Sequence, residues 1–464
     1  MKVMLIGLDC AEPSLVLERW RGELPALGGL MERGRYGPLT SVVPPITVPA
    51  WSCMMASRTP GDLGIYGFRN RADHSYDALF VANGDAVRSP RLWDLATRSG
   101  KPSIVLGVPG TYPPRPLNGV LVSCFLTPST ESRYTYPPLL AREVEQVVGE
   151  YLFDCTNFRT DDKDDLLAQV YEMTDRRFRL ADHLLRTRPW ELFAMVEMGI
   201  DRMHHAFWKA EGRHADAILD YHRHVDGLVS GLLEHADDET VVLVVSDHGA
   251  KRLEGGVRIN EWLRREGLLR LATEPAGRTS LAEVGVDWGA TTAWGDGGYY
   301  GRVFLNVRGR EPQGTVAPED YERVRAELAE RLAAIPGPDG GPLGTRVFRP
   351  EDVYDEINGV APDLLVYFGD LAWRSVGTVG GDEGIHTVEN DTGPDDANHA
   401  QDGLLIMAGP GVEPGPAVGM QLLDVAPTVL ELLGIEVPQA MRGRSLLSRR
   451  EPDGSSRAAA HPSR

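Results

Sequence analysis

Several stretches of this chain are apolar at every position rather than at every second one. Residues 3–8 (VMLIGL) and 241–245 (VVLVV) are the clearest, and shorter runs occupy 103–106, 119–122, 192–196, 364–368 and 404–407. A strand that alternates apolar and polar residues covers one face of a sheet. A strand that is apolar throughout needs cover on both faces. Between these runs lie stretches with helical spacing, at 164–186, 215–233, 319–334 and 423–433. Strands alternating with helices predict an α/β fold with a doubly wound, mostly parallel central sheet flanked by helices.

The 464 residues suffice for a large core of this kind. Residues 1–448 read as one catalytic domain, with cap-like elaborations at about 58–91 and 251–398, where polar and turn-rich pieces such as PGPDGGPLG (336–344) interrupt the pattern. Residues 449–464 are rich in Ser, Ala, Arg and Pro without periodicity and read as a disordered tail. The balance of 48 basic against 67 acidic residues, a net charge of −19, argues against nucleic-acid binding and against docking on anionic lipid. A locally positive site can still exist inside so acidic a protein where metal ions supply the charge. No run approaches the roughly 18 apolar residues of a membrane span, and no secretory segment opens the chain, so a cytoplasmic protein is expected. Cys10, Cys53, Cys124 and Cys155 form no CxxC pair and read as buried thiols.

Open α/β sheets place their sites at the carboxyl ends of the strands. Three strands here run out into carboxylates. The first ends in Asp9, the 241–245 strand in Ser246-Asp247-His248-Gly249, and the 192–196 strand leads through Glu197 to Asp201. Asp201 and His205 stand four apart, so on a helix they share a face, while His204 points elsewhere. Asp247 and His248 sit at a sharp turn. Carboxylate with imidazole suits Zn²⁺ or Mn²⁺ better than Ca²⁺. His399, after a polar loop and before a buried strand, lies at a sheet edge. The group Asp220, His222, His224 and Asp226 reads as the solvated face of one helix. Thr47-Val48-Pro49 follows a strand-like stretch at 39–43 and opens an apolar helical run, which puts Thr47 at a helix N-terminus, a place that attracts anions. No P-loop, dinucleotide-binding glycine motif, GxSxG or HExxH competes.

In this order, Asp9, Thr47, Asp201-x-x-x-His205, Asp247-His248 and His399 resemble the alkaline phosphatase superfamily, and within it the nucleotide pyrophosphatase/phosphodiesterase branch. The resemblance spans about residues 2–447 and includes the Leu423–Leu430 stretch that looks like the closing helix of such folds. It implies a phosphoester hydrolase with two divalent metal ions, Zn²⁺ or Mn²⁺. Asp201, His205 and His399 would hold one ion; Asp9, Asp247, His248 and the Thr47 oxygen the other. Thr47 would be the nucleophile of a phosphothreonine intermediate, and the substrate a small phosphoester. The sequence departs from the family's pattern after Thr47. Leu63 stands where a His is common, and Phe68 where the branch has a phosphate-binding Asn, which leaves Arg69 or Asn70 to contact the phosphoryl group. This keeps open a phosphomonoesterase, a phosphotransferase or a non-catalytic phospho-ligand binder. A sulfatase is disfavoured, because the Thr47 stretch has neither the Cys nor the Arg of that signature.

Overall fold

A computed structural model describes residues 1–382 and 384–447; the stretch read as a disordered tail lies outside the described residues. The core elements are β1 (Lys2–Leu8), α1 (Pro25–Arg33), β2 (Arg35–Thr40), α2 (Thr47–Ala56), β3 (Ser103–Leu106), β4 (Gly119–Val122), α3 (Lys163–Thr187), β5 (Leu192–Glu197), α4 (Gly199–Phe207), α5 (Ala217–Leu233), β6 (Thr240–Val245), β7 (Gly249–Arg252), β8 (Ala397–Ala400), β9 (Asp402–Ala408) and α6 (Val425–Leu432). The central sheet runs β2-β9-β6-β1-β5-β3-β4, with short strands added at both edges. Strands β6, β1, β5, β3 and β4 are mutually parallel, and β9 joins them antiparallel.

The continuous apolar runs split by pleat between two cores. Met4, Ile6, Phe193, Met195, Val242 and Val244 face α1, α3, α4 and α5. Val3, Leu5, Ala194, Val196, Leu243 and Val245 face α2 and α6. Both faces are buried, as the absence of alternation requires. Among the described residues no helix is long and apolar enough to cross a membrane.

The structure departs from the sequence pattern in two places. The 364–368 run forms a strand, Leu364–Tyr367, outside the central sheet. It belongs to a four-stranded antiparallel sheet with Ala293–Asp296, Gly301–Leu305 and Arg346–Phe348, whose own core holds Trp294, Phe304 and Val366. An apolar run reports that a strand is covered, not by which layer. The helix face of Asp220, His222, His224 and Asp226 is not solvated throughout. His222 and Asp226 are buried, and the Asp226 carboxylate accepts the Ala26 and Leu27 amides that α1 leaves free at its start.

The register brings the site together. Leu8 pairs with Glu197 and Gly7 with Val245, so three parallel strands end level and their following residues meet. At Gly7, Trp51 from α2 lies directly on the strand. A Cβ there would stand 2.4 Å from the Trp51 ring and 2.8 Å from Val196. Gly7→Ala is therefore expected to destabilise the protein by about 1–3 kcal/mol through overpacking, read as a lower denaturant midpoint in an equilibrium unfolding curve. An unchanged midpoint would show that Trp51 does not need this contact.

Candidate metal centre

Three carboxylates meet beyond the strand ends, all of them buried. Each has one oxygen tied down and the other without a hydrogen bond. Asp9 Oδ2 accepts from the Trp51 indole at 2.6 Å. Asp201 Oδ2 accepts from Arg202 at 2.6 Å, and Arg202 is itself clamped by Asp154. Asp247 Oδ1 accepts from the Cys10 amide at 3.3 Å. Cys10 sits at φ 63°, a left-handed conformation that is uncommon for a side-chain-bearing residue and recurs at functional sites. The other oxygens, Asp9 Oδ1, Asp201 Oδ1 and Asp247 Oδ2, have no hydrogen-bond partner.

The histidines are oriented in the same sense. His205 Nδ1 lies 2.7 Å from Asp395 Oδ1, His399 Nδ1 2.8 Å from the Pro45 carbonyl, and His248 Nδ1 3.1 Å from the Gly249 carbonyl. With Nδ1–H donating to these acceptors, each Nε2 lone pair faces the carboxylates, the arrangement by which proteins hold metal-binding imidazoles. His205 Nε2 is 3.3 Å from Asp201 Oδ1 and 3.4 Å from His399 Nε2. His248 Nε2 is 3.2 Å from Asp247 Oδ2 and 3.9 Å from Asp9 Oδ1. The atoms of Asp9, Asp247 and His248 converge within 4.8 Å, as do those of Asp201, His248 and His399. His248 thus stands between the two halves rather than wholly in one.

Local folding explains the placement. The Glu197 carboxylate accepts the Gly199 amide at 2.7 Å and so anchors the start of α4, which carries Asp201 and His205 one turn apart. A Cβ at Gly199 would collide with the Tyr221 hydroxyl. The ribbon of β7 and β8 pairs Ala250 with His399, which stacks His399 on His248 at 3.8 Å. Thr47 opens α2, and its Oγ1 lies 3.2 Å from His248 Nε2. The first backbone bond of that helix runs from Ala50 to Ile46, so the Thr47 and Val48 amides precede the helical ladder at the positive end of the helix dipole.

The electrostatics of the cluster are dominated by its three buried carboxylates. Burial pushes the Asp9 carboxyl well above its ordinary value, and the charge of Asp201 adds to this. Asp247 moves the same way through burial and Asp9. Burial alone would raise Asp201 too, but His205 and Arg202 hold it well below the usual range. Burial would lower His205; Asp395 and Asp201 outweigh it and hold the imidazole up to about 9. Burial takes His248 down to about 4 and, with His248 beside it, His399 well down. The donor set of carboxylate oxygens and imidazole nitrogens fits Zn²⁺ or Mn²⁺.

All seven residues read from the sequence as ligands lie in this one cluster. The two read as substrate contacts part ways. Asn70 is turned inward, its amide oxygen accepting from Tyr66 and Gly67 and its nitrogen donating to the Gly67 carbonyl; this turn occupies it. Arg69 faces a cleft with Phe68. Leu63 packs against both the sheet core and a small cluster around Ile65. Trp288 stacks on Tyr76, and Trp294 is insertion core. Sequence reading missed Trp51, Cys10, Arg202 and Asp395. Of these only Arg202 and Asp395 carried a signal, as charged neighbours of Asp201 and His399.

The family described as type I phosphodiesterase / nucleotide pyrophosphatase matches residues 3–395. The chain belongs to this family. It is a phosphoric ester hydrolase, of a metal-dependent family. No curated protein sequence matches it significantly. Among solved structures it is similar in fold to human ectonucleotide pyrophosphatase/phosphodiesterase 5, at 14% identity and TM-score 0.56, covering 94% of this chain and 96% of that one. The murine protein of the same name gives 13% and 0.57 with the same coverage, also as an inactive variant in complex with AMP.

A protonated His205 cannot ligate, and neither can protonated Asp9 or Asp247, so cation binding to this phosphodiesterase-family site releases protons. Apparent affinity is expected to rise with pH, roughly tenfold per unit for each proton displaced, and the share of that rise due to His205 to end above about 9. Calorimetric titration with Zn²⁺ in two buffers of different ionisation heat measures the released protons. A pH-independent affinity with none released would contradict these shifts.

Proposed function

We propose that the chain is a phosphodiesterase of nucleotide pyrophosphatase type that uses Thr47 as its nucleophile and two divalent cations, Zn²⁺ or Mn²⁺. The observation that carries this reading is the Thr47 hydroxyl 3.2 Å from His248, at a helix N-terminus, beside three buried carboxylates whose free oxygens lack any other partner. Asp201, His205 and His399 would hold one cation, and Asp9, Asp247, His248 and Thr47 the other. When bound, the cations supply the positive charge that favours the Thr47 alkoxide and the departing oxygen.

The chain's own residues then divide the work. Thr47 Oγ1 forms a bond to phosphorus while the bond to the leaving alcohol breaks, giving a phosphothreonine ester. The first-turn amides of α2 point their positive ends toward the phosphoryl oxygens as charge builds there. Water then adds its oxygen to phosphorus and the Thr47 Oγ1–phosphorus bond breaks. The proton that Thr47 lost on attack is carried through solvent to the released alcohol; of the water's two protons one restores the Thr47 hydroxyl and the other stays with the phosphomonoester product or passes to solvent. Trp51 keeps Asp9 in register with the helix that carries Thr47, since both residues lie on one face of α2, one turn apart.

Thr47→Ala is expected to lower kcat for bis-p-nitrophenyl phosphate by at least about a thousandfold while metal content stays near wild type. Acid quench of the wild type during turnover should yield a modified peptide containing Thr47. Undiminished turnover by metal-loaded Thr47→Ala would reject the covalent route. A second reading, a phosphomonoesterase, is favoured by one observation: Arg69 lies in the cleft without a carboxylate partner among the described residues. Comparison with p-nitrophenyl phosphate decides it. Preference for the diester supports the phosphodiesterase, and preference for the monoester replaces it.

A further inference from the structure

A cleft of about 510 Å³ opens beside the centre, bounded by Ile46, next to Thr47, and by Tyr299. Tyr299 stacks on both His205 and His399, at 4.9 and 4.4 Å between ring centres. The cleft is also lined by four arginines, Arg69, Arg159, Arg302 and Arg374; Arg159 and Arg374 reach Asp395, the partner of His205. They come from three separate parts of the chain: Arg69 from the first elaboration, Arg302 and Arg374 from the second, and Arg159 from the segment preceding α3. Arg302 donates to the Arg69 carbonyl and so joins the two elaborations.

These cations are held in place but not neutralised. Three carboxylates face them. Asp296 lies 3.2 Å from Arg302. Asp391 lies 3.6 Å from Arg374. Asp395 lies 3.0 Å from Arg159 and 3.7 Å from Arg374, while its other oxygen is taken by His205. Arg159 is further fixed against the Phe158 ring at 4.4 Å and by its bond to the Tyr299 hydroxyl. Arg69 has no carboxylate partner among the described residues. In a protein of net charge −19, four guanidiniums against three acids in one cleft form a local positive field of the kind that draws in anions. Guanidinium suits carboxylate and phosphate oxygens through paired hydrogen bonds. On the proposed reading, the single charge of a diester phosphoryl group is met by the helix N-terminus and cations around Thr47, which leaves the charge of these arginines for another group of the substrate.

We infer that this cleft receives the organic arm of the phosphoester, and that this arm carries a second anionic group, a carboxylate or a phosphate. The inference rests on the proposed phosphoesterase reading and narrows its substrate class.

The test uses a matched pair, 2-carboxyethyl p-nitrophenyl phosphate and its carboxamide counterpart, which differ in one charge at nearly the same size. Binding is measured by calorimetry on metal-loaded Thr47→Ala, where the esters persist, and turnover on the wild type. The carboxylate is expected to bind at least about tenfold more tightly than the amide. That ratio should shrink toward one in Arg69→Gln and Arg302→Gln, and it should fall with added salt on the parent protein. Arg69 is exposed, so its replacement leaves the fold in place. Equal binding of the two esters, or preference for the amide, overturns the inference while leaving the phosphoesterase reading standing if the wild type turns either over. Absence of turnover of both by metal-loaded wild type counts against that reading, and the binding ratio still decides the inference.

Discussion

Three carboxylates share one buried space with too few protein donors to satisfy them, and most of the catalytic end of the molecule answers that fact. Like charges out of water repel strongly, and the groups respond by holding protons or by gaining cations. Asp9 and Asp247 are pushed toward the protonated form, while Asp201 keeps its charge by leaning on His205 and Arg202. Each carboxylate gives one oxygen to the protein and leaves the other bare. A cluster with this pattern is costly as folded protein alone and favourable once cations enter.

The scaffold meets this demand with ordinary parts. Parallel strands that end level deliver Asp9 and Asp247 side by side, and Glu197 starts the helix that brings Asp201 and His205. The outer contacts matter as much as the ligands. Trp51, Arg202, the Cys10 amide, Asp395 and the carbonyls of Pro45 and Gly249 fix which atom of each ligand points inward. Gly7 is where the strand and helix requirements meet, because its missing side chain is the room that Trp51 occupies.

The central sheet was legible because a strand buried on both faces cannot hide its composition. The clustered residues were legible because Asp9, Asp247 and His248 follow strand ends, Asp201 and His205 sit four apart on a helix, and Thr47 opens one. What escaped the sequence was three-dimensional company. The 364–368 run announces burial but not its sheet. Asp226 and His222 are polar residues on an amphipathic helix, and only their tertiary neighbours show them to be buried: the start of α1 for Asp226, and Trp20 with His204 for His222. Nothing local marks Trp51 as the partner of Asp9, 42 positions away. Asn70 and Arg69 are adjacent, and the turn at Tyr66 decides which faces inward. The two elaborations, unreadable in fold, join across Arg302 and the Arg69 carbonyl to wall the cleft beside Tyr299.

The proposed chemistry depends on the carboxylate cluster being a seat for two cations. Stripping the protein with chelator and titrating Zn²⁺ back, with bound metal counted by elemental analysis and thermal stability followed in parallel, tests this directly. Two equivalents per chain are expected, with the melting temperature rising as they bind and Asp9→Asn losing one equivalent. A protein that melts at the same temperature with and without metal and retains less than one ion per chain would contradict it.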